Sequence, residues 1–224
     1  VQPACIGRIW FEIAIAGKAA GIQKRYEGVS GIDLGNKIVK AVQDLEAKRV
    51  ATVSHPLYPN ALDSLPCIIG SFSAGDYPSS FPDSALLKGS IGTVPGEDHE
   101  GVKQSLVEQV AKAAAADPWM REHPPVVRFV GYDAQASEIP RDHPIVETVI
   151  ASYREVVGRD PVVSGRQGAA DTRFLNLYAA TPTVIFGPGS TALMHATDEY
   201  VSIDDYMTAI KVMALSICDW CQTE

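Results

Sequence analysis

Pro182-Thr183-Val184-Ile185-Phe186-Gly187-Pro188-Gly189 reads as a short apolar strand that runs into a glycine turn. Met194-His195-Ala196-Thr197-Asp198-Glu199-Tyr200-Val201 follows, with one His beside two acidic residues, and Ser202-Ile203-Asp204-Asp205 opens an amphipathic run. A serine ahead of such a run, with two aspartates in the first turn, is a helix start, because the hydroxyl can accept an orphan backbone N–H. Strand, turn, ligand-type side chain and capped helix together describe a metal-ligand loop above the end of a sheet.

The same rhythm extends upstream. Helices are predicted over 143–157, 171–178 and 204–220, and strands over 161–164 and 182–186. That alternation predicts an α/β layer with parallel strands and ligands at their carboxyl ends. Two strands are too few to cover three helices, so the segment reads as a piece of a larger domain.

The first half follows another pattern. Arg8-Ile9-Trp10-Phe11-Glu12-Ile13-Ala14-Ile15-Ala16 is rich in β-branched and aromatic residues and stops at Gly17, as a strand does. Leu34, Ile38, Val42 and Leu45 give a helix over 31–49 one apolar face, and Val102, Leu106 and Val110 do the same over 100–116, ahead of Pro118. Further strands are predicted over 67–73, 85–94 and 126–130, with the turn formers of 75–79 between the first two. The order β-α-β-β-α-β is the split, ferredoxin-like arrangement, with both helices on one face of a four-stranded sheet. Its other face or an edge is expected to pair with a second copy.

The chain has 224 residues, 46% of them hydrophobic, which is enough for one large domain or two small ones. A net charge of −8 without a basic cluster argues against nucleic acid or an anionic membrane as partner. Four cysteines are too few for a secreted disulfide scaffold, and no apolar run is long enough for a membrane span. A cytoplasmic location is the expectation. Cys218-Asp219-Trp220-Cys221 has redox-like spacing but no second pair, so core packing and an exposed thiol are expected there. No Gly-x-Ser-x-Gly elbow occurs, and His55, His99, His123 and His143 are expected at the surface.

Several motifs together resemble a known family. Gly17-Lys18-Ala19-Ala20 is followed by Glu27-Gly28-Val29, then by Val94-Pro95-Gly96-Glu97, by Gly168-Ala169-Ala170-Asp171-Thr172-Arg173-Phe174, and by Phe186-Gly187-Pro188-Gly189 with His195 and Asp198-Glu199-Tyr200-Val201. In this order the chain resembles the acetylornithine deacetylase, succinyl-diaminopimelate desuccinylase and carboxypeptidase-G group of zinc-dependent amidohydrolases. The resemblance implies an α/β chain: a ferredoxin-like βαββαβ lid that forms the dimer, over 6–134, then the C-terminal portion of a larger α/β catalytic domain, over 135–224. Residues 1–5 are a leading segment. It also implies hydrolysis of an amide bond in an N-acyl amino acid or peptide-like small molecule, as a homodimer. The cofactor is zinc, with cobalt or manganese as alternatives, two ions per complete site.

Among the family's metal ligands only His195 has a counterpart. The catalytic glutamate and the other ligands are implied to come from an N-terminal segment or separate chain, so these 224 residues alone are expected to be inactive. A hydrolytic zinc needs about three protein ligands and an open position, and one His cannot fix a metal. Asp198 and Glu199 could accept from the imidazole and orient it, or form a solvated acidic turn. Gly168, Asp171 and Arg173 occupy a substrate-lining loop, where Asp171 could also cap the following helix. Arg166 could recognise an anion or be a plain surface arginine.

The chain departs from the family at three places in the lid. The cross-dimer His is Gly21, followed by Gln23, Lys24 and Arg25, which could substitute or form an exposed polar loop. The cross-dimer Asn is Ser79, assigned to substrate binding. The strand Arg that pairs a substrate carboxylate is Gly92, which removes a bidentate partner and leaves room for a substrate lacking that carboxylate. A non-catalytic dimerisation module, a degenerate relative of the family, is the alternative reading.

Overall fold

The computed structural model describes residues 1–194 and 196–222. Two compact units divide it, one of Ile6–Ala136 and one of Val1–Cys5 with Ser137–Glu224. In chain order the first elements are β1 (Ala4–Cys5), β2 (Gly7–Ala16), β3 (Ala20–Gly21), α1 (Gly31–Thr52), α2 (Ala61–Ser64), β4 (Cys67–Ser73), β5 (Ser80–Phe81), β6 (Ser84–Thr93) and α3 (His99–Ala115). They continue with α4 (Pro118–Glu122), β7 (Val126–Ala134), β8 (Ser137–Glu138), α5 (Pro144–Val157), β9 (Gly165–Arg166), α6 (Thr172–Tyr178) and α7 (Ile203–Cys221). Among the described residues, no helix is long and apolar enough to cross a membrane.

In the Ile6–Ala136 unit the strands run β4-β6-β2-β7, each pair antiparallel. Period-two alternation along β2 buries Ile9, Phe11, Ile13 and Ile15 and turns Trp10, Ala14 and Ala16 outward. Onto the inner face α1 lays Leu34, Ile38, Val42 and Leu45, and α3 lays Val102, Leu106 and Val110, in one core. Burying side chains of this size stabilises by about 1.5–3 kcal/mol each, which is why the two spacings, every second and every third or fourth residue, are locked to their faces. The Ser30 hydroxyl caps α1 by accepting from the Asp33 N–H at 3.2 Å. A second, two-stranded ribbon pairs β3 with β5, Ala20 against Phe81 and Gly21 against Ser80; the turn formers of 75–79 end in a paired strand that the sequence pattern does not reveal.

In the other unit β1 is the middle strand of a three-stranded sheet, β8-β1-β9. The leading segment is therefore structural, and the sheet is mixed: β1 runs parallel to β9 and antiparallel to β8. The strand expected over 161–164 begins later, at Gly165. Residues before it still follow the chain start, with Val1 donating to the Val162 carbonyl at 2.9 Å and Ser164 N–H donating to Val1 at 3.2 Å, but Pro161 has no N–H to give.

The strand expected over 182–186 reduces to one antiparallel bridge, Gln2 to Ile185. Asn176 is the reason. Its side chain accepts from the Thr183 N–H at 2.7 Å and donates to the Thr183 carbonyl at 3.3 Å, so both ladder groups of that residue are taken. Helix α5 starts with His143 Nδ1 accepting from Ile145 N–H and stops at Gly158, whose φ of 76° is left-handed. Ser202 caps α7, accepting from Asp205 N–H at 3.0 Å, and α7 packs along α5 through Ala209, Val212 and Ser216.

Candidate functional site

Within the Val1–Cys5 and Ser137–Glu224 unit a cavity of about 710 Å³ opens beside the glycine turn, walled by Tyr153, Arg159, Arg166, Gly187, Gly189 and Glu199 among others. Each wall has a local cause. Arg166 is the last residue of β9, held beside Cys5 of β1. The Gln2–Ile185 bridge releases the chain into Gly187-Pro188-Gly189, and the φ of 93° at Gly189 turns it away from the sheet. Phe186 meets Tyr153 of α5 edge to face, with centroids 6.3 Å apart. Two guanidinium groups and one carboxylate thus share a partly apolar hollow. Planar N–H forks of that kind grip a carboxylate or a developing oxyanion, whereas Glu199 can accept from a donor or take a proton.

Of the residues singled out in the sequence, Arg166 and Glu199 line this cavity, and Gly168 lies beside Arg166, 3.8 Å from its Nε when a β-carbon is placed there. Asp198 is exposed and is not among the lining residues. His195 lies outside the described residues. Asp171 and Arg173 pair with each other at 3.3 Å, and Arg173 also donates to the Ala170 carbonyl at 3.2 Å and lies over the Phe174 ring. Asp171 sits at the N-cap position of α6 but makes no side-chain cap bond, so the capping role is corrected. With α-type dihedrals rather than extended ones, and its carboxylate turned to Arg173, it cannot reach the first N–H groups.

Gly21 and Ser79 come together in the other unit. Ile22 N–H donates to the Ser79 carbonyl at 2.9 Å beside the Gly21–Ser80 pair. A β-carbon on Gly21 would meet nothing within 4 Å, and its φ of −68° suits any residue. Gly92 is the opposite case. A β-carbon there would come to 2.8 Å from both the Ser64 carbonyl oxygen and Pro66 Cδ, its N–H donates to Pro66, and its carbonyl accepts from Arg49 at 2.8 Å. Packing, rather than chance, keeps a long side chain off that strand position.

Two clusters were not legible beforehand. Arg49, 6% exposed, donates to both carboxylate oxygens of Glu97 at 2.8 and 2.9 Å, and Glu97 accepts from the Val94 N–H at 2.9 Å. The Val94-Pro95-Gly96-Glu97 motif is therefore held by a buried ion pair. His99 is not a surface residue: its side chain is 10% exposed and its Nε2 lies 2.5 Å from Asp133. A single Arg at the end of a helix and a His after an Asp carry no periodic signal, so only the fold exposes these partnerships.

His99, Glu100 and Asp133 are the one grouping of three or more donors within metal-binding reach among the described residues. Its centre is occupied: Lys103 Nζ bonds Glu100 at 2.7 Å and Asp133 at 2.6 Å. Burial alone would raise the Asp133 pKa, but hydrogen bonds from Lys103 and His99 hold it below the usual carboxylate range. Burial would lower the Lys103 pKa, but its hydrogen bonds to Asp133 and Glu100 outweigh that and raise it. An ammonium that is held charged repels a dication, so this cluster is an ion-pair network. At the cavity Glu199 is the one described carboxylate on the wall, and the described residues do not by themselves complete a metal centre. Cys67 is buried in the core of the other unit, and burial pushes its thiol up to about 12.

Residues 24–219 match the sequence profile of Peptidase family M20/M25/M40. The N-formyl-4-amino-5-aminomethyl-2-methylpyrimidine deformylase of Halalkalibacterium halodurans is 28% identical over 203 residues, covering 87% of this chain and 47% of that protein. The acetylornithine deacetylase of Vibrio atlanticus is 24% identical over 219 residues, covering 96% of this chain and 53% of that protein. A tripeptidase structure from Staphylococcus aureus superposes with a TM-score of 0.75 at 18% identity, covering 99% of this chain and 54% of that one. The chain spans about half the length of the curated relatives it matches.

Proposed function

The chain belongs to peptidase family M20/M25/M40, and from that premise we propose that it forms part of a metal-dependent hydrolase that cleaves the C–N amide bond of a small N-acyl amine. The cavity beside Gly187-Pro188-Gly189, with Arg166 and Glu199 on its wall, is the observation that carries this reading. His195, in the segment between Met194 and Glu199, is proposed as one ligand of a pair of zinc ions. The remaining ligands and the catalytic glutamate belong to polypeptide beyond these 224 residues, in keeping with the half-length match. When bound, such ions supply an activated water near neutral pH and a positive charge for the oxyanion. This chain's own contribution is the pocket wall: guanidinium donors that orient the acyl group or its leaving partner, and a carboxylate that can hold a proton at the amine. Gly168 lies beside Arg166, while Asp171 and Arg173 brace the loop behind it.

The Ile6–Ala136 unit is proposed as the ferredoxin-like lid and dimerisation domain. Its strand order and its outward Trp10, Ile68 and Val130 support that reading. Ser79 and the open place at Gly21 lie on one ribbon, the part of the lid proposed to meet substrate. The closed packing at Gly92 leaves no place for a carboxylate-binding arginine on that strand, which favours a substrate without a carboxylate there. The relative named as a deformylase of an aminomethylpyrimidine is consistent with such a substrate.

Amine release from N-formyl and N-acetyl amines, with and without an α-carboxylate, tests the proposal on the family-length protein supplied with zinc, cobalt or manganese. Turnover of the neutral substrates with kcat/KM about tenfold or more above their carboxylate counterparts is expected, since an unpaired carboxylate is costly to desolvate. No amide cleavage with any of the three metals refutes the hydrolase reading, and a preference for carboxylates refutes the substrate class.

A further inference from the structure

On the face of the β4-β6-β2-β7 sheet turned away from α1 and α3, one row crosses three strands: Ile68 of β4, Ser90 of β6 and Trp10 of β2 stand opposite one another. The row is large, small, large. Strands two places apart lie about 9.5 Å from each other, so the serine leaves a slot between an indole and an aliphatic wall, each half exposed. The hollow has a volume of about 440 Å³. Glycines shape it as much as side chains do. Gly131, with a left-handed φ of 79°, passes behind the indole, where a β-carbon would come to 3.0 Å from Cε3 of Trp10. Gly70 sits where the β4 register shifts, and a β-carbon there would meet nothing within 4 Å. Tyr132 supports the indole, with ring centroids 5.9 Å apart. Glu12 and Lys88, the two charged residues on the wall, pair with each other at 2.7 Å.

A slot of this width takes one flat ring at contact distances of about 3.5–4 Å on each wall, and the volume lies in the small-ligand range of about 300–1,000 Å³. Its two charges cancel, so it suits an uncharged guest, and the Ser90 hydroxyl supplies a donor and an acceptor for a ring nitrogen or an exocyclic group. A second copy needs about 800 Å² per partner, far more than this hollow offers, and can pair along the edge strands β4 or β7 without filling it. Gly92, where the family resemblance implies a substrate contact, lies two residues along β6 from Ser90 on the same face, about 7 Å away. Resting on the reading of this unit as the lid of an amidohydrolase, we infer that the slot binds the amine half of the substrate as a flat, uncharged heteroaromatic ring stacked between Trp10 and Ile68.

The test compares N-formyl-(pyrimidin-5-yl)methylamine, N-formyl-cyclohexylmethylamine and N-formyl-4-(aminomethyl)benzoate as substrates of the zinc-loaded, family-length protein, in the parent, in Trp10→Ala and in Ser90→Leu, which fills the slot from its floor. Both positions face outward, so the core is untouched, and light scattering reports the oligomeric mass of each protein. The parent is expected to prefer the pyrimidine over the cyclohexyl substrate at least about fivefold in kcat/KM, the scale of one ring stacked on an aromatic side chain. Either substitution should bring that ratio close to one. A preference that survives both substitutions, or none in the parent, overturns the inference and leaves the hydrolase reading standing. Faster turnover of the benzoate assigns the face to an anion held by Arg8, which stands opposite Gly92, and overturns it. A dimer that dissociates in Trp10→Ala gives the hollow to a second copy and overturns it too. No cleavage of any of the three refutes the hydrolase reading on which the inference rests.

Discussion

Ile22 donates its backbone N–H to the Ser79 carbonyl at 2.9 Å, and that bond seats Gly21 opposite Ser80 at the tip of a two-stranded ribbon. Two places where the family resemblance implies a polar side chain, far apart in sequence, are thereby neighbours. Both are reduced here, one to glycine and one to serine, and the backbone is ordinary at the glycine.

Gly21→His and Gly92→Arg should therefore behave oppositely. The first adds a side chain into open space and should leave the unfolding midpoint within about 0.5 kcal/mol of the parent. The second drives a β-carbon into Ser64 and Pro66 and should cost about 1–3 kcal/mol or more. Urea unfolding of the two variants decides it; equal midpoints would contradict the packing account of Gly92.

The Arg49–Glu97 pair should prove a stability element. Both side chains are largely buried, at 7% and 13% exposure, so Arg49→Ala strands a carboxylate and should cost about 3–5 kcal/mol. Glu97→Gln, which can still accept from Val94, should cost less. A loss under about 1 kcal/mol on Arg49→Ala, read from chemical denaturation, would show that water replaces the guanidinium.

Acid should destabilise the Ile6–Ala136 unit through Asp117 and Asp133. Burial raises the Asp117 pKa, but Lys37 at 2.6 Å and the N–H groups of Met120 and Trp119 outweigh it and hold the carboxyl below its usual range. A carboxyl depressed in the folded state adds stability that is complete above the unfolded value, about 3.9, and is lost as pH falls through the folded one. Thermal midpoints measured from about pH 6 down to about pH 3 should fall less steeply in Asp117→Asn than in the parent. Parallel curves would remove Asp117 from the account.

Arg166→Gln should weaken substrate binding without unfolding the protein. Its side chain borders the cavity and donates to Met194 Sδ at 3.8 Å, and glutamine keeps a polar amide at that place. Removing a charged hydrogen bond to the bound molecule is worth about 1.5–3 kcal/mol, a rise of roughly ten- to a hundredfold in KM for the family-length enzyme. An unchanged KM would place the guanidinium outside the substrate's reach.

How much of this was legible in the sequence follows from how burial writes itself into a chain. Strand β2 and helices α1 and α3 are long enough for one-sided burial to repeat, so Ile9, Phe11 and Ile13, or Leu34 and Ile38, announce their faces. Strands β1, β8 and β9 are two residues each and have no period to read. Their pairing is set by chain segments far apart, Ala4 against Gly165 and Glu138. Thr183 sits in an apolar run that looks like a strand, but Asn176 takes its ladder groups. The glycine turn was visible because Gly187, Pro188 and Gly189 are demanding residues, but the cavity beside it was not. Arg159 and Tyr153 on the same wall were not, since an arginine after a helix and a tyrosine within one look like any other.

The zinc content of the family-length protein, measured by atomic emission for the parent and for His195→Ala, tests the central claim most directly. The account predicts about two zinc ions per protomer in the parent, with at least one lost in the variant together with amide turnover. Equal zinc and equal turnover in the two proteins would contradict it.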